Sequence, residues 1–216
     1  MKNQYKVATY SPLEEKWNVY THGFGFVMSL IGCILLCFRE SVSTKNTISI
    51  LVFGSSLCIL YFASTIYHKT TEPKRRARLQ VFDHAAIYIL IAGTYTPFTL
   101  ITLQGETGLI LFYTTWSIAI LGIILKIFFT GRFDIVSTIL YVAMGWLIIF
   151  AYKPLITHLH PMGVQWLFGG GIAYTVGAIL YSIKKIPFNH AIFHVFVLIG
   201  SFCHFIAVYK LSLIHI

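Results

Sequence analysis

Three histidines in the chain are candidate metal ligands, and two of them have the spacing of a helical metal-binding motif. His190 and His194 are four residues apart, so on a helix they project from one face, one turn apart. Two imidazoles in this arrangement suit a single metal ion, as in helical zinc motifs. His68 would complete a three-histidine set, which leaves one coordination position open for water. The sequence therefore predicts a Zn²⁺ site with His68, His190 and His194 as its ligands.

Two further side chains are candidate catalytic residues. Asp83 would act as general base toward the water that zinc activates, or would hold the tautomer of a ligand histidine. Its alternative role is structural, because the helix dipole favours an anion at a helix N-terminus. Ser64 lies one turn before His68 on the same face and would donate a hydrogen bond to the water or to a substrate oxygen. Alternatively, Ser64 bonds back to a carbonyl of its own helix.

The depth of these residues favours a shared site over separate roles. Ionisable residues inside membrane segments are costly and usually mark function. A single histidine at the membrane interface is ordinarily a hydrogen-bonded packing residue, but here several segments place polar side chains in one layer. His22, near the start of the first segment, belongs to the same layer. His204 is ten residues beyond His194, so it lies about 15 Å deeper and is expected to be a buried hydrogen-bond partner between helices.

Composition predicts the elements that position this layer. Of the 216 residues, 57% are hydrophobic and only 11% are charged, which is too few charges for the surface of a soluble protein. A membrane-spanning helix needs about 20 largely apolar residues. Seven segments meet this requirement and predict an all-α membrane protein. They are residues 19–38, 47–67, 83–103, 108–128, 133–152, 163–183 and 191–211.

The basic residues predict how the helices are oriented. With the N-terminus in the cytoplasm, twelve of the sixteen Lys and Arg residues fall on the inside, as the positive-inside rule requires. The N-terminus is therefore predicted to be cytoplasmic and the C-terminus outside. Residues 1–216 are expected to form a single seven-helix domain that begins with a short cytoplasmic segment, residues 1–17. That segment is polar and does not resemble a cleavable signal peptide.

A basic run between the second and third predicted helices indicates a membrane partner. Its residues are Lys74, Arg75, Arg76 and Arg78. In a chain of this hydrophobicity, such a run is an orientation signal that lies against anionic lipid head groups. Nucleic-acid binding is not expected despite the net charge of +9, and the sequence leaves any protein partner unidentified.

Several motifs together resemble a known family. They are residues 18–22, 64–68, 82–84, 92–98 and 190–205. The chain resembles the hemolysin III proteins, within the progestin and adiponectin receptor family of seven-helix membrane proteins. The resemblance implies zinc held by His68, His190 and His194, with Asp83 holding the water and Ser64 matching the family's serine. It also implies lipid amide hydrolysis, because animal members look like hydrolases that act on ceramide, or the cytolytic activity after which the hemolysin III branch is named.

Two functions remain open from the sequence. The first is a zinc-dependent intramembrane hydrolase of a lipid amide or ester, whose substrate enters from the bilayer. The second is a channel-forming cytolysin, or a membrane receptor or sensor, in which zinc is structural. A channel is disfavoured because no charged stripe runs through the helix interiors.

Overall fold

The computed structural model describes residues 7–38, 43–103 and 105–214, and every regular element of these residues is helical. Eight α-helices follow one another with short connections. They are α1 Pro12–Cys37, α2 Thr44–Lys69, α3 Pro73–Pro97, α4 Gly105–Phe129, α5 Asp134–Gly145, α6 Tyr152–His158, α7 Pro161–Ser182 and α8 Asn189–Ile214.

Seven of the described segments are long and apolar enough to cross a membrane, because α5 and α6 belong to one interrupted span. The predicted class, an all-α protein of seven transmembrane helices, is confirmed. The cytoplasmic position of the N-terminus stays a prediction. We call the end of the bundle at which α1 and α8 begin the site end.

Two helices begin well before their predicted first residues. α1 starts at Pro12 rather than at residue 19, and α3 starts at Pro73 rather than at residue 83. Hydropathy marks only the apolar part of a helix, whereas capping residues mark its true start. The Ser11 side chain accepts from the backbone N–H of Glu14, and Glu72 accepts from two N–H groups of the first turn of α3. The basic run at residues 74–78 is therefore helical and does not form a connection between helices.

The helices pack so that α3 lies near the centre. α1, α2, α3 and α4 contact one another in chain order, while α7 packs along α8 and α8 returns to α1. α3 also contacts α5, and it is the most deeply buried of the seven spans. At Gly170 of α7, a Cβ atom would lie 3.0 Å from the Gly200 carbonyl oxygen of α8. The lack of a side chain on Gly170 thus lets α7 and α8 approach closely.

The fifth span is interrupted at its middle, where the sequence predicts one continuous helix. α5 ends at Gly145, and a short 3₁₀ segment, Leu147–Ala151, connects it to α6. Backbone groups released inside a membrane must find other partners. The Tyr95 hydroxyl supplies them, since it donates to the Gly145 carbonyl at 2.9 Å and accepts from the Ile148 N–H at 2.8 Å.

Candidate metal centre

Three imidazoles from two helices meet at the site end. His68 is in the last turn of α2, and His190 and His194 are in the first two turns of α8. One ring nitrogen from each residue lies within 4.8 Å of the others, and the Nε2 atoms of His68 and His190 are 3.1 Å apart. Two nitrogens bound tetrahedrally to one zinc ion would be about 3.4 Å apart. All three residues are buried, with at most 7% of their surface exposed.

The tautomer of His68 is set by a carboxylate. The Nδ1 atom of His68 lies 2.7 Å from Oε2 of Glu15, close enough for a charge-assisted hydrogen bond in which the imidazole donates. A neutral histidine that donates from Nδ1 carries its lone pair on Nε2, where a metal ion can be bound. The second oxygen of Glu15 forms an ion pair with Arg76 of α3. The pair holds the carboxylate in place beside the ring.

A hydroxyl plays the same part for His194. The hydroxyl of Thr21 donates to the carbonyl oxygen of Trp17, one turn earlier on α1, at 2.7 Å. With its proton directed there, the oxygen accepts from Nδ1 of His194, which lies 3.3 Å away. His194 then also presents the lone pair of Nε2. His190 is positioned through its backbone N–H, which donates to Oε1 of Glu14 at 3.3 Å.

A tyrosine covers the cluster from the N-terminal segment. The ring of Tyr10 stacks on His190 with centroids 4.6 Å apart and planes 23° apart, and it lies 5.8 Å from the ring of His68. Burial raises the pKa of Tyr10 above its ordinary value, with further contributions from the nearby acidic groups. Its hydroxyl therefore stays protonated. Arg76 also donates to the Ala8 carbonyl at 3.5 Å, which ties the segment to α3.

Several buried polar atoms beside the cluster lack a hydrogen-bond partner among the described residues. These are Oγ of Ser64, Oδ1 of Asn18, both ring nitrogens of His22 and Nδ1 of His190. An unpaired buried polar group typically costs about 1–3 kcal/mol. Their concentration here indicates a ligand or water that satisfies them. Ser64 does not bond back to its own helix, so that alternative role is wrong.

His22 is close enough to the cluster to touch a ligand histidine. Its ring stacks on that of His194 with centroids 3.5 Å apart and planes 8° apart. His22 lies ten residues into α1 rather than near its beginning, because α1 extends beyond the apolar stretch. The same holds for Asp83 in α3. Both residues remain in the layer of the cluster although their helices begin earlier.

Asp83 lines a cavity of about 150 Å³ that also reaches His190 and His194. Its Oδ2 atom is 3.8 Å from Nδ1 of His84. The carboxylate is outside the group of three histidines, whose ligand atoms lie within 4.8 Å of one another. The alternative role of Asp83 as an anion at a helix N-terminus is wrong, because α3 begins ten residues earlier. Its role toward water stays a prediction.

The donor set of the cluster fits a transition-metal ion. Three neutral imidazole nitrogens suit zinc and also copper, iron or nickel, so the identity of the metal as zinc stays a prediction. The two tautomers held by Glu15 and Thr21 are those that ligation requires, as is usual for residues that support metal ligands. His204 lies outside the cluster and contacts the Leu167 carbonyl of α7 at 3.1 Å.

The sequence reasoning missed the residues that support the ligands. Glu15 and Tyr10 lie in the polar N-terminal segment, and Thr21 lies in an apolar stretch. A signal for Glu15 was present, because Ser11-Pro12 predicts a helix start. From that start, Glu15, Asn18 and His22 lie on one helix face at spacings of three and four. The stacking of Tyr10 had no comparable signal.

Comparison with known proteins identifies the family. A family profile described as "Haemolysin-III related" matches residues 10–205. The chain belongs to the haemolysin III-related family. It is similar to "Hemolysin-3 homolog" of Bacillus subtilis (strain 168), with 47% identity over 197 residues, which cover 90% of this chain and 92% of that protein. "Hemolysin-3" of Bacillus cereus is also 47% identical over 197 residues, covering 90% of each chain.

The chain is also similar to an animal protein. Human "Monocyte to macrophage differentiation factor" is 29% identical over 214 residues, which cover 96% of this chain and 87% of that protein. This likeness supports the wider placement in the progestin and adiponectin receptor family. Together with the seven spans, membership in the haemolysin III-related family makes the chain an integral, multi-pass membrane protein.

Proposed function

We propose that this haemolysin III-related protein is a zinc-dependent intramembrane hydrolase that cleaves an amide or ester bond of a lipid. The observation that carries the proposal is the buried three-histidine cluster at one end of a membrane-embedded cavity. Three histidines leave a coordination position open, which is typical of catalytic rather than structural zinc. Zinc bound by this set would supply a Lewis acid that activates water and polarises a carbonyl group.

Asp83 and Ser64 would carry out the proton transfer and the binding of the substrate carbonyl. The carboxylate of Asp83 lines the same cavity as His190 and His194 and would take the proton of the attacking water. Ser64 has a buried hydroxyl without a partner among the described residues, and it would donate to the carbonyl oxygen of the substrate. Water adds across the C–N or C–O bond, and the proton held by Asp83 passes to the leaving amine or alcohol. The products are a carboxylic acid and that amine or alcohol.

The shape of the cavity supports a lipid substrate. The cavity runs from the cluster at the site end to Trp146 and His204, deep in the spans. Most of its lining residues between these ends are apolar or aromatic, so an acyl chain would be buried along it. Tyr10 covers the cluster at the opposite side. The substrate would therefore reach the cluster from the bilayer.

The proposal is tested by measuring metal and turnover on the same purified protein. Wild type is expected to contain about one zinc per chain and to release fatty acid from at least one neutral lipid in a broad panel. The double variant His190→Ala/His194→Ala should lose both. His158→Ala/His160→Ala is the matched control, because these two histidines are exposed at the far end and should leave metal and turnover unchanged.

Two results would overturn this function. One is stoichiometric zinc without turnover of any lipid in the panel, which would leave the metal as a structural element. The other is turnover that survives the double variant, since the cluster would then be unnecessary for the chemistry.

The name of one relative favours a second candidate function, membrane lysis. The Bacillus cereus protein is called "Hemolysin-3" and covers 90% of this chain. Dye release from liposomes by the purified protein that persists in His194→Ala would favour lysis and separate it from the metal. Dye release that is absent in wild type would remove this candidate.

We also propose that the exposed basic side chains at the start of α3 bind anionic head groups at a cytoplasmic site end. Lys74, Arg75 and Arg78 are exposed there, while Arg76 is paired with Glu15. Attachment of a membrane-impermeant reagent to a cysteine placed at Lys74, seen only in inside-out vesicles, would support this orientation. Labelling of intact cells at that position would contradict it.

A further inference from the structure

The cavity contains a hydrogen-bond acceptor that the proposed reaction does not use. His84 follows Asp83 on α3 and lines the cavity. Its Nδ1 atom lies 2.7 Å from the carbonyl oxygen of Gln80, one turn earlier, and can only donate to it. In the tautomer that donates from Nδ1, the lone pair is on Nε2. Among the described residues nothing donates a hydrogen bond to this atom. It is also not one of the fully buried polar atoms that lack a partner.

A second acceptor faces the same cavity from α5. Ser137 is buried, and its hydroxyl donates to the carbonyl oxygen of Phe133 at 2.9 Å. Its lone pairs have no donor within the part of the chain that the structure describes. Tyr141, one turn further along α5, donates to the backbone carbonyl of His84 at 2.9 Å. Ser137 lies one turn before Tyr141 on α5.

The charged groups that line the cavity do not favour an anionic ligand. Asp83 contributes a carboxylate to the lining, and no Lys or Arg of the described residues lines the cavity. Lys184 lies over the ring of Tyr181 at 3.7 Å, but of these two residues only Tyr181 lines the cavity. A phosphate group would meet acceptors and a carboxylate without the Arg or Lys that phosphate sites ordinarily use.

We propose that His84, with Ser137, binds the head group of a neutral lipid through hydroxyl groups of that head. Nε2 of His84 and Oγ of Ser137 each accept a hydrogen bond, and the lipid supplies both donors. The lipid class is a neutral lipid whose head group carries at least two hydroxyl donors, rather than a phospholipid. This inference rests on the proposed lipid hydrolase function, because it describes the head group of a ligand in the same cavity.

The test uses lipids that cannot be hydrolysed, so that binding is measured apart from turnover. The probe is 1-O-dodecylglycerol, and its 2,3-di-O-methyl ether has the same chain without the hydroxyl donors. Binding of each is measured by native mass spectrometry of the detergent-purified protein. A site that accepts hydroxyl donors rejects an analogue lacking them. Wild type should prefer the free diol by about tenfold, and dodecyl phosphate should bind more weakly than the diol.

Variants assign this preference to named atoms. His84→Phe keeps an aromatic ring without the acceptor and should reduce the preference to within about twofold. His84→Gln places an acceptor near the position of Nε2 and should keep most of it. His158→Phe makes the same substitution at an exposed histidine at the far end and should change nothing. Ser137→Ala should lower the preference by about threefold.

Three outcomes would overturn the inference. They are a wild type that does not distinguish the diol from its ether, an unchanged preference in His84→Phe, and tighter binding of dodecyl phosphate. Should His84→Phe fail to fold, judged by loss of metal and thermal stability, an unchanged preference in Ser137→Ala overturns it instead. A diol preference without lipid turnover would defeat the hydrolase proposal alone. Turnover with no such preference would defeat only this inference.

Discussion

Replacing Glu15 by alanine should weaken metal binding, although Glu15 is not a ligand. Its carboxylate accepts from Nδ1 of His68 at 2.7 Å and pairs with Arg76. Without it, Nδ1 of His68 loses the acceptor that holds the lone pair on Nε2. The guanidinium of Arg76 would also lose its partner close to a site that must accept a cation.

The expected size of the effect follows from this geometry. Loss of a partner behind a metal-bound histidine typically costs about 10–100-fold in affinity, or about 1.4–2.7 kcal/mol. The Glu15 side chain is 19% exposed, so solvent screens its charge only in part. We expect Glu15→Ala to be in the upper half of this range. Glu15→Gln keeps an acceptor for His68 but removes the charge, so its loss should be about tenfold or less.

Competition with a chromophoric zinc chelator measures these affinities directly. The matched control is Glu106→Gln, which changes an exposed carboxylate at the opposite end of the bundle and should leave zinc affinity unchanged. Affinity of Glu15→Ala within about twofold of wild type would refute the reasoning, because the carboxylate would then not orient His68. Equal losses for Glu15→Ala and Glu15→Gln would show that the charge matters and the acceptor does not.

Three further substitutions test other contacts. Thr21→Val removes the acceptor for Nδ1 of His194 and should lower zinc affinity by about 3–10-fold, measured by the same competition, whereas an unchanged affinity would contradict the assigned tautomer. Tyr95→Phe removes the hydroxyl that satisfies two backbone groups at the break in the fifth span. Chemical unfolding in detergent should show that the free energy of unfolding falls by about 1–3 kcal/mol, while the zinc content stays unchanged. Gly122→Leu places a side chain against the ring of Tyr88 and should lower the free energy of unfolding by about 1–3 kcal/mol. Gly169→Leu enters open space and should leave stability unchanged. Equal melting temperatures of the two variants would contradict the packing at Gly122.

The number and class of the helices were predictable because burial in lipid imposes a simple rule. Each span needs a long apolar stretch, and seven such stretches are present. The true starts of α1 and α3 were missed because those turns are polar. The interruption of the fifth span was missed because Gly145 to Ala151 is apolar throughout. Only the position of the Tyr95 hydroxyl explains how the break is tolerated.

The cluster of three histidines was expected from spacing and depth, but its support was not. The pair His190 and His194 lies on one helix, so its geometry is local and readable. Glu15 is 53 residues from His68, and Thr21 is 173 residues from His194. Contacts over such separations depend on how α1 packs against α2 and α8. A single sequence does not contain that information in any local pattern.

The stack of Tyr10 on His190 has a practical consequence for anyone who handles this protein. Affinity tags, fluorescent fusions and cleavage scars at the amino terminus would be joined only a few residues from an aromatic ring in contact with the cluster. A polyhistidine tag placed there would also compete with the cluster for the metal ions that a titration measures. Metal titrations and lipid assays should therefore use protein tagged at the carboxyl terminus, since α8 carries it away to the other end of the bundle.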